Sequence, residues 1–85
     1  MAKNLATDRQ IEYLNSLRDK AHRIEAVAQS HGHTVYKKPL VYRDYEEERR
    51  RGMTVADASQ LISAWRRMIL YGNTTLCLFN LPQVK

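Results

Sequence analysis

Apolar positions recur with helical spacing along the first third of the chain. Ile11, Leu14, Leu17, Ala21, Ile24 and Ala28 fall three and four residues apart and gather on one side of a 3.6-residue helix. Just ahead of them stands Thr7-Asp8-Arg9-Gln10, a capping box in which the Thr7 hydroxyl accepts the Gln10 amide and the Gln10 side chain reaches back. Gly32 is the natural stop, so the pattern predicts a first helix over residues 7–31. A helix of this length measures about 35 Å at ~1.5 Å per residue. Its C-terminal end needs cover, from the chain's own tail or from a second copy.

A second stripe follows Met53-Thr54-Val55-Ala56-Asp57-Ala58, where Thr54 caps, Asp57 favours the positive helix end and Met53 can staple onto Ala58. Ala58, Leu61, Ile62, Trp65 and Ile69 continue it, and Gly72-Asn73 reads as the stop, predicting a helix over residues 54–71 packed on the first. On that stripe Trp65 is a core residue. Residues 32–52 between the helices are the least regular part. Val35-Tyr36-Lys37-Lys38-Pro39-Leu40-Val41-Tyr42 reads as extended chain, because Pro39 and its restriction of Lys38 oppose helix. Asp44-Tyr45-Glu46-Glu47-Glu48-Arg49-Arg50-Arg51 then places acids first and bases last, the order a helix dipole favours, with Asp44 as cap and Gly52 as stop. A short exposed helix is expected near residues 44–51. The tail, residues 74–81, is apolar at nearly every position and is expected to lie as buried extended chain across the helices, with Cys77 a small buried hydrophobe.

The expected fold is therefore mainly α: two long packed helices, a short third helix in an extended middle insert, and an apolar C-terminal tail packed across them. A length of 85 residues suits one domain, 1–85, and is too short for a cleft between two lobes. Hydrophobic residues at 44% and charged residues at 27% are ordinary for a globular protein. No apolar run reaches the roughly 18 residues of a membrane span, and the N-terminus has no signal-peptide core. A cytoplasmic protein with no membrane partner is expected. The single cysteine excludes an internal disulfide and agrees with a reducing compartment.

The net charge of +5, from 14 Lys and Arg against 9 Asp and Glu, favours a polyanion or an acidic protein surface as partner. Catalytic raw materials are poor: His22, His31 and His33 have no convincing nucleophile beside them, and no catalytic residue is expected. His31-Gly32-His33, with His22 or Cys77, matches no zinc spacing, so neither a metal nor a cofactor is expected, and a dipole interaction suits His31 better.

Nucleic-acid binding needs bases grouped where several phosphates can be reached together. At ~100° per residue, Arg9, Lys20 and Arg23 fall within roughly 60° of one another, opposite the apolar stripe, with Tyr13 and Ser16 flanking. In the insert, Lys37, Lys38 and Arg43 interleave with Tyr36 and Tyr42. Arg49, Arg50, Arg51, Arg66 and Arg67 add charge, although Glu46, Glu47 and Glu48 are spaced to pair with the first three, and a solvated face explains much of this pattern.

Thr7-Asp8-Arg9-Gln10-Ile11-Glu12-Tyr13-Leu14-Asn15-Ser16-Leu17 and Met53-Thr54-Val55-Ala56-Asp57-Ala58-Ser59-Gln60-Leu61-Ile62 resemble a short helix–loop–helix domain of unknown function in actinobacteria and their bacteriophages. That family carries Thr-x-x-Gln-x-x-Tyr-Leu-x-x-Leu and then Leu-Thr-x-x-Glu-Ala-Ser-x-x-Ile. Here Met53 replaces Leu, Asp57 replaces Glu, and the middle segment is much longer. The resemblance implies a small phage-encoded protein in a bacterial host cytoplasm, with no cofactor and no catalytic residues.

Two expectations result. The leading one is a non-enzymatic nucleic-acid-associated protein, on DNA rather than RNA, contacting phosphates through Arg9, Lys20, Arg23, Lys37, Lys38 and Arg43. The alternative is an adaptor or inhibitor that docks residues 35–51 on a host protein through Tyr36, Leu40, Tyr42 and Tyr45. A homodimer along the apolar end of the first helix and the tail is compatible with both.

Overall fold

A computed structural model describes residues 4–38 and 40–85; Pro39, on which the extended reading of the insert leans, lies outside the described residues. The protein is mainly helical, with α1 Asp8–Ser30, α2 Tyr45–Arg50 and α3 Val55–Leu78 in that order. Both long helices begin at the anticipated caps: Thr7 forms the expected capping box with Gln10, and Thr54 forms one with Asp57, which was expected only to favour the helix's positive end. Asp44 caps α2 by accepting the Glu47 amide.

All three helices stop by one device. The residue after the cap takes positive φ, at Gly32 (75°), Gly52 (112°) and Asn80 (57°). Its neighbour's amide then reaches back five residues: His33 to the Ala28 carbonyl (2.8 Å), Met53 to Glu48 (3.0 Å) and Leu81 to Leu76 (2.9 Å). These are Schellman endings, and Pro82 follows the last of them. Gly32 and Gly52 act as stops, as expected, but Gly72 does not.

α3 runs straight through Gly72 because that glycine serves packing. A Cβ there would sit 2.5 Å from the Tyr36 hydroxyl and 2.8 Å from Ile24 Cγ2, so only a bare backbone lets the insert and α1 approach. The expected extended tail is consequently two further helical turns, and burial follows helical period. Leu76 is buried while Cys77 and Leu78 are exposed, which corrects the expectation of a buried thiol. Chain beyond Asn80 does fold back: Asn73 clasps Val84 with two 2.9 Å hydrogen bonds, and Leu81 and Val84 pack against the core.

The two long helices run parallel. At one end the Ala6 amide donates to the Met53 carbonyl and the Val55 amide to the Asn4 carbonyl, each at 3.0 Å, and the Gln10 side-chain amide reaches the Val55 carbonyl at 3.2 Å. At the other end Ile24 faces Gly72, and His33 stacks on Phe79 with ring centroids 4.0 Å apart. A parallel pair obliges the connection to travel back the whole length of α1, and its contacts step down that helix in order. His33 bonds Ala28, the Leu40 amide bonds Glu25, the Arg43 carbonyl accepts from Arg18, and Arg49 meets Asp8. The result is a rod of 51 × 19 × 17 Å with the insert laid over one side of the helix pair.

The insert is pinned by two buried tyrosines and one buried arginine. Tyr45 is fully buried and accepts a hydrogen bond from Trp65 Nε1. The Tyr36 hydroxyl donates to the Met68 carbonyl at 3.0 Å. Arg18, also buried, bonds Asn15, Asp19 and the Arg43 carbonyl, and its guanidinium stacks 4.1 Å from the Tyr42 ring centroid. Trp65 lies in the core as its place on the stripe requires.

Candidate nucleic-acid interface

The side of the helix pair away from the insert carries the grouped cations. Arg9, Lys20 and Arg23 share the outer face of α1, with Arg9 and Arg23 exposed and Lys20 half-buried. Because α3 is parallel to α1, its Arg66 meets Lys20 across the interhelical groove, a space of about 260 Å³ also lined by Tyr13, Leu17, Ile69, Leu70 and Asn73. A second hollow of about 450 Å³ adjoins the first, sharing Arg66 and Leu70 with it and adding Arg67 and Ser63. Tyr13 is 43% exposed at the groove wall, which leaves a ring face free to stack.

Electrostatics separate these cations from the rest. Arg18 pairs with Asp19, Arg43 with Glu48, Arg49 with Asp8 and Glu46, and both Arg50 and Arg51 with Glu47. Among the described residues, Arg9, Lys20, Arg23, Lys37, Lys38, Arg66, Arg67 and Lys85 make no ion pair. Of the remaining carboxylates, Asp44 and Asp57 sit at helix N-termini, and Glu25 accepts the Leu40 amide at 3.2 Å. Glu12 is interposed on the basic side of α1. Among the described residues the cations without an ion pair therefore lie on the two long helices, at Lys37 and Lys38, and at Lys85.

Six residues were expected to contact phosphates, and the fold divides them. Arg9, Lys20 and Arg23 come together and gain Arg66 and Arg67. Lys37 and Lys38 lie on the opposite flank of α3, in a groove shared with Trp65, Met68 and Tyr71. Arg43 drops out: its guanidinium is engaged by Glu48, and that hydrogen bond, against the opposing effect of burial, is the main cause of its raised pKa.

The four expected protein anchors divide as well. Tyr45 and Tyr36 are core residues, which corrects their reading as surface anchors. Burial, aided by the nearby Glu25 charge and by Tyr71, pushes the Tyr36 hydroxyl up to about 12. Leu40 is half-buried, and only Tyr42, 67% exposed, remains at the surface, with one ring face on Arg18. Each histidine has a local role. His31 Nδ1 lies 3.0 Å from the Val27 carbonyl, His33 stacks on Phe79, and His22 lies beside Tyr42 with a buried, unpartnered Nε2. No group of three or more His, Cys, Asp and Glu is placed to hold a metal ion among the described residues, and no described helix is long and apolar enough to cross a membrane.

Sequence reading underrated Arg18, Arg66 and Arg67. Arg66, Leu70 and Asn73 share a face only if the helix continues past Gly72, and their meeting with Tyr13 and Lys20 requires the parallel pairing. Compared with known proteins, the chain matches no family model, no curated protein and no solved structure.

Proposed function

We propose that the protein is a small, non-enzymatic nucleic-acid-associated protein that holds backbone phosphates along the side of α1 and α3 left open by the insert. The observation that carries this reading is the gathering of unpaired Lys20, Arg66 and Arg67 around two adjoining hollows that share Arg66, beside a half-exposed tyrosine. Unpaired cations in a row release condensed counterions when they meet phosphates, which supplies affinity without base readout. Arg9 and Arg23 extend the row along α1. Duplex DNA is the first substrate on this reading, with Tyr13 adding a stacking face when a strand is single.

The resemblance to the actinobacterial and phage domain fits this reading and a host-protein binder alike, since the shared positions have structural explanations here. Thr7, Gln10 and Thr54 are caps, and the Gln10 side chain also ties α1 to the Val55 carbonyl. On this reading the protein is phage-encoded and works in the host cytoplasm as a binder.

Anisotropy titrations of a labelled mixed-sequence duplex and a single strand over a salt series test the proposal. With three to five phosphate contacts on the duplex, the slope of log K against log salt is expected between about −2.7 and −4.5. Replacing Lys20, Arg66 and Arg67 together by alanine should flatten the duplex slope by roughly 2.7, while Lys37→Ala with Lys38→Ala leaves it unchanged. Affinity that ignores salt, or no binding to either probe at low salt, would overturn the reading. The second outcome would favour a host-protein adaptor that docks through exposed Val41 and Tyr42.

A further inference from the structure

On the other flank of α3 the insert leaves an open groove of about 590 Å³ that the nucleic-acid reading does not use. Its volume falls within the roughly 300–1,000 Å³ of small-molecule sites. Ten of the described residues line it, against the ~20–30 per side that a stable protein interface engages. Trp65 and Tyr36, both buried, Val35 and Met68 supply apolar walls, and Val41 and Tyr71 stand at the rim, 75% and 59% exposed. Exposed apolar side chains around a concave apolar site gain by being covered.

The polar atoms that reach this groove are mostly already engaged. Trp65 Nε1 donates to Tyr45, the Tyr36 hydroxyl donates to the Met68 carbonyl, and the Arg43 guanidinium is held by Glu48. Among the described residues the free polar groups on the lining are the Tyr71 hydroxyl at the rim and the ammoniums of Lys37 and Lys38, exposed and without an ion pair, and Glu25, which accepts the Leu40 amide, does not line the groove. A site with apolar walls and cations only at its mouth matches a ligand with an apolar body and one anionic head.

We infer that the groove between the insert and α3 is a binding site for a small amphiphilic carboxylate, its chain against Trp65, Met68 and Tyr71 and its head beside Lys37 and Lys38. Methionine suits such a wall because its thioether adapts to the shape of an apolar chain.

Trp65 is the chain's only tryptophan, so its emission reports occupancy of the groove directly. The probes are decanoate below its micellising concentration, decyltrimethylammonium as a cation of the same chain length, and acetate as a head without a chain, with helical ellipticity followed in parallel. Decanoate is expected to change Trp65 emission saturably at constant ellipticity, and acetate to leave it unchanged. Lys37→Ala with Lys38→Ala should weaken decanoate roughly three- to tenfold, as the loss of two exposed charge contacts allows, and bring it level with the ammonium probe. Tyr71→Ala should weaken both chains. A flat decanoate titration, equal affinity for the two chains in the unaltered protein, no effect of the lysine substitutions, or loss of ellipticity over the titration range would each overturn the assignment.

Discussion

The insert and the open sides of the long helices carry arginine in equal number and put it to different use. Arg43, Arg49, Arg50 and Arg51 lie within reach of Asp8, Glu46, Glu47 and Glu48, and every one of them is ion-paired. Arg9, Arg23, Arg66 and Arg67 have no such partner. Spacing on one helix explains only part of this: Arg49, Arg50 and Arg51 meet Glu46 and Glu47 three and four residues away, but Arg9 and Arg23 have Glu12 and Asp19 at the same spacings without pairing, and Arg43 and Arg49 reach Glu48 and Asp8 from outside that spacing. A count of charges gives the net value; only their neighbours tell which of them remain available to a ligand. Residues 43–51, with four arginines against Asp44, Glu46, Glu47 and Glu48, are self-neutralised and act as a strap, whereas Arg9, Arg23, Arg66 and Arg67 stay free to act on something else.

The strap's hold on the helices can be broken at its buried tyrosines. Tyr45→Ala should cost about 3–5 kcal/mol in urea unfolding, since it empties a fully buried site and strands the Trp65 indole N–H. Tyr45→Phe keeps the ring and should lose only about 1–3 kcal/mol. A loss under about 1 kcal/mol for the alanine variant would mean that the insert is not part of the cooperative core.

Gly72→Ala should cost a net of roughly 1–2 kcal/mol, because the clash with Tyr36 and Ile24 outweighs the better helix propensity of alanine. A neutral or stabilising result would show that Gly72 is not required by the approach of the insert.

Alkaline titration probes the same contact. Tyr36 ionises at about 12 in the fold, above its ordinary value near 10, because burial disfavours the phenolate. Its contribution is therefore complete below pH 10 and is lost as pH rises through 12, and its size is of the order of 2 kcal/mol. Burial likewise raises Tyr45, so loss in the same direction should persist in Tyr36→Phe but be smaller, as unfolding free energy from pH 9 to 12 would record.

The mildest test contrasts the two sets of arginines directly. Arg50→Ala with Arg51→Ala should change stability by less than about 1 kcal/mol and leave nucleic-acid affinity unchanged. Arg66→Ala with Arg67→Ala should be equally mild in unfolding yet reduce the salt slope of duplex binding by roughly 1.8. Equal effects of the two pairs on binding would erase the distinction between paired and unpaired charge.

Much of the fold was legible in the sequence, and the candidate site only in part. Caps at Thr7 and Thr54, the acids-first order of residues 44–51 and the glycine stops at 32 and 52 are visible within a few residues of themselves. Asn80-Leu81-Pro82 is an equally local stop, passed over because Gly72 came first; a glycine permits a helix to end without compelling it. On α1 the cluster of Arg9, Lys20 and Arg23 needed only the helical period. Its partner Arg66, by contrast, arrives from more than forty residues away, and Tyr36 and Tyr45 look like surface aromatics until α3 is set beside them.

The amino-acid sequence by itself determined where the helices begin, which faces they bury, that Trp65 is core and that the chain is basic, because each rests on contacts or periodicity within one or two turns. Tertiary structure alone decided that α1 and α3 run parallel, that the insert must therefore return along them, that Gly72 is a packing position and that Lys20 faces Arg66. Those outcomes depend on which distant side chains compete for the same space, and no local pattern records that competition.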